Sequence, residues 1–178
     1  MHDDNKLVAI PIGILVLTLL PVAGWPRVAA AQLQADVKWV EVEVALAPNR
    51  RAMIQYKVRW HVTRGTMGGF YFQGERGNID WHQPGCGAVT DGGQDYQIEL
   101  KKVGGDKWDV LLARQQRFGP GGLTFVLTYF TDLAASGHLA RTSSAEHGDL
   151  IVFNWAPVEW DEPLDHETVL VRWPLKVS

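Results

Sequence analysis

The sequence predicts an all-β protein: an antiparallel β-sandwich with immunoglobulin-like or Greek-key connections, preceded by an apolar N-terminal segment. Three observations carry this expectation. From residue 37 onward apolar residues recur with period two, the signature of half-buried strands. The 18 Gly and 9 Pro fall between these runs without a period of their own, as turn residues do. No long stripe of helical spacing interrupts the alternation. A closed barrel is the alternative that this pattern does not separate from a sandwich.

In VKWVEVEVALA, Val40, Val42, Val44 and Leu46 share one face, while Trp39, Glu41 and Glu43 take the other. In RAMIQYKVRWHVTR, Ala52, Ile54, Tyr56, Val58, Trp60 and Val62 alternate with polar or charged neighbours apart from Met53. Pro48-Asn49-Arg50 connects the two runs tightly, so they form an antiparallel hairpin. A glycine-rich stretch follows, with one short strand at 70–72 and a second at 78–81. YQIELKKV and KWDVLLA flank Gly104-Gly105-Asp106, a hairpin turn. Tyr96, Ile98 and Leu100 then share a face, as do Trp108, Val110 and Leu112. LTFVLTYFTDL is strongly β-forming, and DLIVFNWA and HETVLVRWP supply the last strands.

A chain of 178 residues fits one domain and falls short of the roughly 250 that a β/α barrel needs. Seventeen basic against 20 acidic residues, net −3, provide no electrostatic footprint for nucleic acid. Residues 7–20, LVAIPIGILVLTLL, carry no charge; Val28-Ala29-Ala30-Ala31 and a polar stretch from Gln32 come after. A short apolar core ending in an A-x-A-like site is the pattern of a secretory signal peptide, and it is shorter than the ~20 residues of a spanning helix. The preceding MHDDNK is not positive, so the competing reading is an uncleaved anchor over residues 7–25. The division is therefore a signal peptide or anchor at 1–31 and a β-sandwich domain at 32–178. Either reading places the domain outside the cytoplasm, in the periplasm or at the cell surface. The single cysteine, Cys86, makes no internal disulfide, so the core must hold without a staple.

The most distinctive text is GDLIVFNWAPVEWDEPLDHETVLVRWP, residues 148–174. It resembles the end of the extracytoplasmic N-terminal domain of the YciQ-like family of predicted bacterial membrane proteins. The residues that carry the resemblance are Asp149, Phe153-Asn154-Trp155, Trp160, Pro163 and the strand 167–173 closing on Pro174. Asn154, Trp155, Trp160 and Pro163 form its structural motif. The hairpin 37–63 and the strand Gly119–Tyr129 resemble the family's more generic segments. The family's basic Gly-x-x-Arg-x-Ile-Pro segment is replaced here by MGGFYFQGERGNI. The resemblance implies a topology, an extracytoplasmic compartment and proximity to a membrane. It implies no catalytic residue.

Eight Trp in the chain, seven of them in the domain at 32–178, need an explanation. Trp60 and Trp108 lie on apolar faces and read as core, whereas Trp39 and Trp81 have polar neighbours and read as the most exposed. Trp155 and Trp160 flank Pro157, where two indoles would clamp the connection onto a sheet edge. Loops at the end of a sandwich are natural recognition surfaces, which singles out 68–86. The candidate binding residues are therefore Trp39, Phe70, Tyr71, Trp81 and His82. Asp80, His82 and Cys86 offer a carboxylate, an imidazole and a thiol, but copper or zinc needs further ligands at spacings the sequence does not provide. There is no G-x-S-x-G elbow and no H-E-x-x-H, and the acids Glu159, Asp161, Glu162 and Asp165 read as a solvated loop. No metal, no cofactor and no catalytic residue are expected. The expected activity is binding: to an envelope or membrane protein, or to another copy of the chain, with a glycan bound by exposed Trp as the alternative.

Overall fold

The computed structural model describes residues 32–161 and 163–173. The apolar segment 7–20, the Ala31 cleavage position, Glu162 and Pro174 lie outside the described residues. Within them the protein is mostly strand, with short 3-10 turns at Gln83–Gly85 and Ala113–Gln115 and no α-helix. The all-β class is what the sequence predicts.

β1 (Gln34–Leu46) and β2 (Arg51–Arg64) form the expected antiparallel hairpin, Val42 opposite Tyr56 and Val44 opposite Ile54. The tight turn requires a positive φ of 68° at Arg50 and is closed by Ala47 N–H donating to Arg51 O. The predicted inward face is buried: Val40, Val42, Val44, Ala52, Ile54, Tyr56, Val58 and Val62 are each almost fully enclosed. β9 (Gly121–Asp132) lies antiparallel to β2 along its whole length and adds Leu123, Phe125, Leu127 and Tyr129 to the same face. Beyond β9 the sheet continues into β5 (Gly87–Thr90) and β6 (Asp95–Tyr96), and β4 (Asp80–Trp81) pairs with the far end of β9.

A second sheet of three strands is built from β3 (Gly69–Phe72), β8 (Lys107–Leu112) and β7 (Ile98–Gly104). Its Phe72, Ile98, Val110 and Leu112 share one hydrophobic cluster with the large sheet. The Phe72 ring meets Tyr56 edge-on at 5.1 Å, and Phe70 meets Phe125 in the same way at 5.0 Å. β7 and β8 turn through Gly105-Asp106 as the sequence indicates, with Gly105 at φ 53°. Tyr96 and Ile98, read as one strand, belong to different sheets, because the chain changes sheet at Gln97.

The expectation of a wholly antiparallel arrangement is corrected at the last strand. β12 (His166–Arg172) runs parallel to β1, Val42 beside Val169 and Val44 beside Val171, so the large sheet is mixed. A parallel neighbour needs a crossover of about a dozen residues. Residues 47–165 lie between β1 and β12, and their last stretch, from 154 to 165, buries Val158 and returns to the start of β1, where Asp165 N–H donates to Lys38 O. Between β9 and this link, β10 (Leu139–Ser144) and β11 (Gly148–Phe153) form a hairpin that pairs with no other described strand.

Candidate functional site

The five candidate binding residues do not converge. Trp39 lies on the outer face of the large sheet, half-buried, its ring 6.3 Å from that of His166. His82 is exposed and edge-on to Phe130, while its backbone N–H donates to Thr128 O. Trp81 is the clearest departure from expectation. β4 sets it opposite Tyr129, whose side chain faces the core, so the indole is drawn inward against Tyr129, Phe72 and Trp108 at 5.3–5.9 Å. Its polar neighbours Asp80 and His82 are the outward half of an alternation in which Ile79 and Trp81 point in.

Phe70 and Tyr71 do share a site, and they share it with Trp160. A cleft of about 250 Å³ is walled by Trp60, Phe70, Tyr71 and Trp160 and rimmed by Lys107, Glu159 and Asp161. Phe70 lies 5.6 Å from Trp60 and 6.0 Å from Trp160, and Lys107 Nζ sits 3.7 Å above the exposed Tyr71 ring. The motif indoles therefore pack over the core rather than on a sheet edge. Trp160 leans on Phe70, Trp155 stacks on Phe153, and between them Val158 N–H donates to the Tyr56 hydroxyl at 3.1 Å. Asn154 is exposed and tied to His138, its carbonyl 2.8 Å from the imidazole Nδ1. Pro163 is exposed.

On the other side of the same link a second, more polar cleft of about 630 Å³ is lined by Gln73, Glu75, Arg76, His138, Asn154 and Glu159, among others. Its wall holds a group that sequence reasoning missed. Glu75, only 4% exposed, accepts a hydrogen bond from the Tyr129 hydroxyl at 2.6 Å, and the Tyr129 ring stacks at 6.4 Å on that of Tyr56. Burial pushes the Glu75 carboxyl up; the Tyr129 hydroxyl, the charge of His138 and the Trp155 indole pull the other way. Burial likewise raises both phenols. The bond between Tyr129 and Glu75 pins the loop 73–77 to the core. Its one sequence signal is Tyr129 itself, a phenol on an otherwise apolar face, whose hydroxyl requires a buried acceptor. Among the described residues no group of three or more His, Cys, Asp or Glu is placed to hold a metal ion.

Exposed apolar side chains fall next to one another in two strands elsewhere. Every residue of β12 is exposed. Val169, Leu170, Val171 and Trp173, with Leu150, Ile151 and Val152 of β11, are 37–57% exposed. Val169 and Val171 continue the core face beyond Val42 and Val44, and Leu170 lies on the outer face with Arg172, whose Nε donates to Glu43.

No protein-family model matches the chain, and no curated protein matches its sequence.

Proposed function

We propose that the chain is an exported β-sandwich of immunoglobulin-like character that acts by binding rather than catalysis, docking a protein of the bacterial envelope along β12. The observation that carries this reading is the state of that edge. Proteins usually blunt an edge strand with Lys, Pro, a bulge or a covering element, because its free N–H and C=O groups recruit other strands. β12 has no Lys, no Pro and no register shift; its charges are Glu167 on the core face and Arg172 on the outer face, and between them it displays apolar side chains on both faces. An edge left in this condition suits strand addition, in which main-chain bonds give affinity and alternate side chains give specificity. The apolar segment at 7–20 and the A-x-A-like site support export, and the resemblance to YciQ-like ectodomains supports a membrane-proximal setting.

The test is a photo-crosslinking amino acid placed at Leu170, with Lys57 on the outer face as control, in cells of the native type. Protein adducts at 170 and none at 57 are expected; no adduct at 170 would overturn the reading. Fractionation tests export: a periplasmic or surface species starting at Gln32, or a membrane-bound one keeping Met1, fits, and a cytosolic species does not.

The aromatic cleft favours a second reading, glycan binding, now by Phe70, Tyr71 and Trp160 rather than by Trp39 and Trp81. Aromatic faces stack on sugar rings while Glu159 and Asp161 accept from hydroxyls. Retention on insoluble glycans that Trp160→Ala abolishes would favour it; no retention would exclude it.

A further inference from the structure

We infer that the strand received by β12 is β11 of a second copy of this chain, added antiparallel and reciprocally, so that two copies close into a dimer. The inference rests on the edge-binding reading above and names its partner.

The chain carries two incomplete elements, and they fit each other. Among the described residues β12 is a sheet edge, paired with β1 on one side and with no strand on the other. β10–β11 is a two-stranded ribbon with β11 open on one side, and such a ribbon is marginal in water on its own. Both carry three consecutive exposed apolar residues: Leu150-Ile151-Val152 and Val169-Leu170-Val171. In antiparallel alignment Leu150 faces Val171, Ile151 faces Leu170 and Val152 faces Val169. The same register sets Asp149 opposite Arg172, an opposite-charge pair on the outer face. Arg172 spends its Nε on Glu43 and keeps its terminal nitrogens for a second carboxylate. Leu150 and Val152 then extend the core face that Val169 and Val171 leave open.

The alternatives match less well. Parallel alignment of the apolar triplets sets Asp149 against Thr168 and leaves Arg172 against Phe153. Pairing β12 with itself about Leu170 sets Glu167 against Trp173 and Thr168 against Arg172, with no opposite charges in register. Within one copy the two elements are kept apart, since β1 and β2 separate β12 from β9, from whose end the hairpin departs. They nevertheless lie at the same end of the sheet. Arg172 is beside Ala45, and Leu133 N–H, just before the hairpin, donates to Arg50 O. Each copy thus offers one donor strand and one acceptor edge at one end, the requirement for a closed two-fold exchange rather than an open fibre.

The test is sedimentation of the purified chain over a range of concentrations with Asp149→Arg, Arg172→Asp, an equimolar mixture of the two, and the double variant. The wild type is expected to dimerise, and each single variant to weaken the dimer by about tenfold or more, since it sets like charges face to face. The mixture is expected to regain the dimer, because each variant's altered residue then meets an opposite charge in the other, and the double variant regains it alone. A monomeric wild type, or a mixture no better than its components, would overturn the inference. The crosslink at Leu170 separates the two levels: adducts only to a different protein overturn self-pairing and leave edge binding standing. No adduct overturns both.

Discussion

The Tyr129 hydroxyl donates to the Glu75 carboxyl across 2.6 Å inside the core, joining a phenol of the large sheet to a carboxyl from a glycine-flanked loop. The carboxyl is held above its ordinary value of 4.5, chiefly by burial. A raised carboxyl contributes stability that is complete below its unfolded value and lost as pH rises through its folded value. Glu75→Gln keeps an acceptor for Tyr129 and carries no charge, so the variant is expected to gain stability over the wild type as pH rises above about 4.5. Glu167, also raised by burial, contributes a slope of the same sign to both proteins and cancels in the comparison. Thermal unfolding of the two from pH 4 to pH 8 measures the gap; a constant gap would contradict the account.

Tyr56 ties the crossover link to the sheet. Its hydroxyl accepts the Val158 N–H, and both residues are buried. Tyr56→Phe preserves the ring packing against Phe72 and leaves the Val158 N–H without its partner. A loss of about 1–3 kcal/mol is expected, the cost of an unsatisfied buried donor. Denaturant unfolding checks it, and hydrogen exchange at Val158 should quicken more than exchange in β2.

Phe72 and Tyr71 are adjacent on β3 and point in opposite directions. Phe72 is fully buried among Tyr56, Trp81 and Tyr129, where the two sheets meet, whereas Tyr71 is 56% exposed. Phe72→Ala is expected to cost about 3–5 kcal/mol. Tyr71→Ala loses the Lys107 contact and a half-exposed wall of the cleft and is expected to cost about 1 kcal/mol or less. Equal losses from the two variants would contradict the placing of Phe72 in the hydrophobic cluster that the two sheets share.

The long strands were legible because one face of each is buried along its whole length. The alternation from Ala52 to Val58 and from Leu123 to Tyr129 writes that face directly into the sequence, and the Gly105-Asp106 turn declares itself in the same way. Four features were hidden. The parallel course of β12 depends on where the link 154–165 lands, which no local pattern encodes. β10, LARTSS, has no buried face and so leaves no period to read. The inward turn of Trp81 follows from pairing with Tyr129 across some fifty residues of sequence, and Glu75 vanished among glycines that read as solvent-exposed loop. The cleft was half legible: Phe70 and Tyr71 mark one wall, but Trp160 reaches it only through the crossover.

Cys86 occupies a place in the ladder that a backbone carbonyl would ordinarily fill. Thr128 N–H donates to its Sγ at 3.3 Å, and the thiol lies 3.4 Å from the carbonyls of His82 and Thr128. Burial pushes the thiol up, and the Thr128 N–H pulls against it. A raised thiol stays protonated at neutral pH, and the thiolate is the reactive form. Alkylation of the folded protein is therefore expected to be much slower than that of a free thiol, and to approach the free rate in denaturant. Cys86→Ser keeps an acceptor for Thr128, whereas Cys86→Ala removes it, so the Ala variant is expected to be less stable than the Ser variant by about 1 kcal/mol. Fast alkylation under native conditions, or a Ser variant no more stable than Ala, would mean that the sulfur is not part of the ladder.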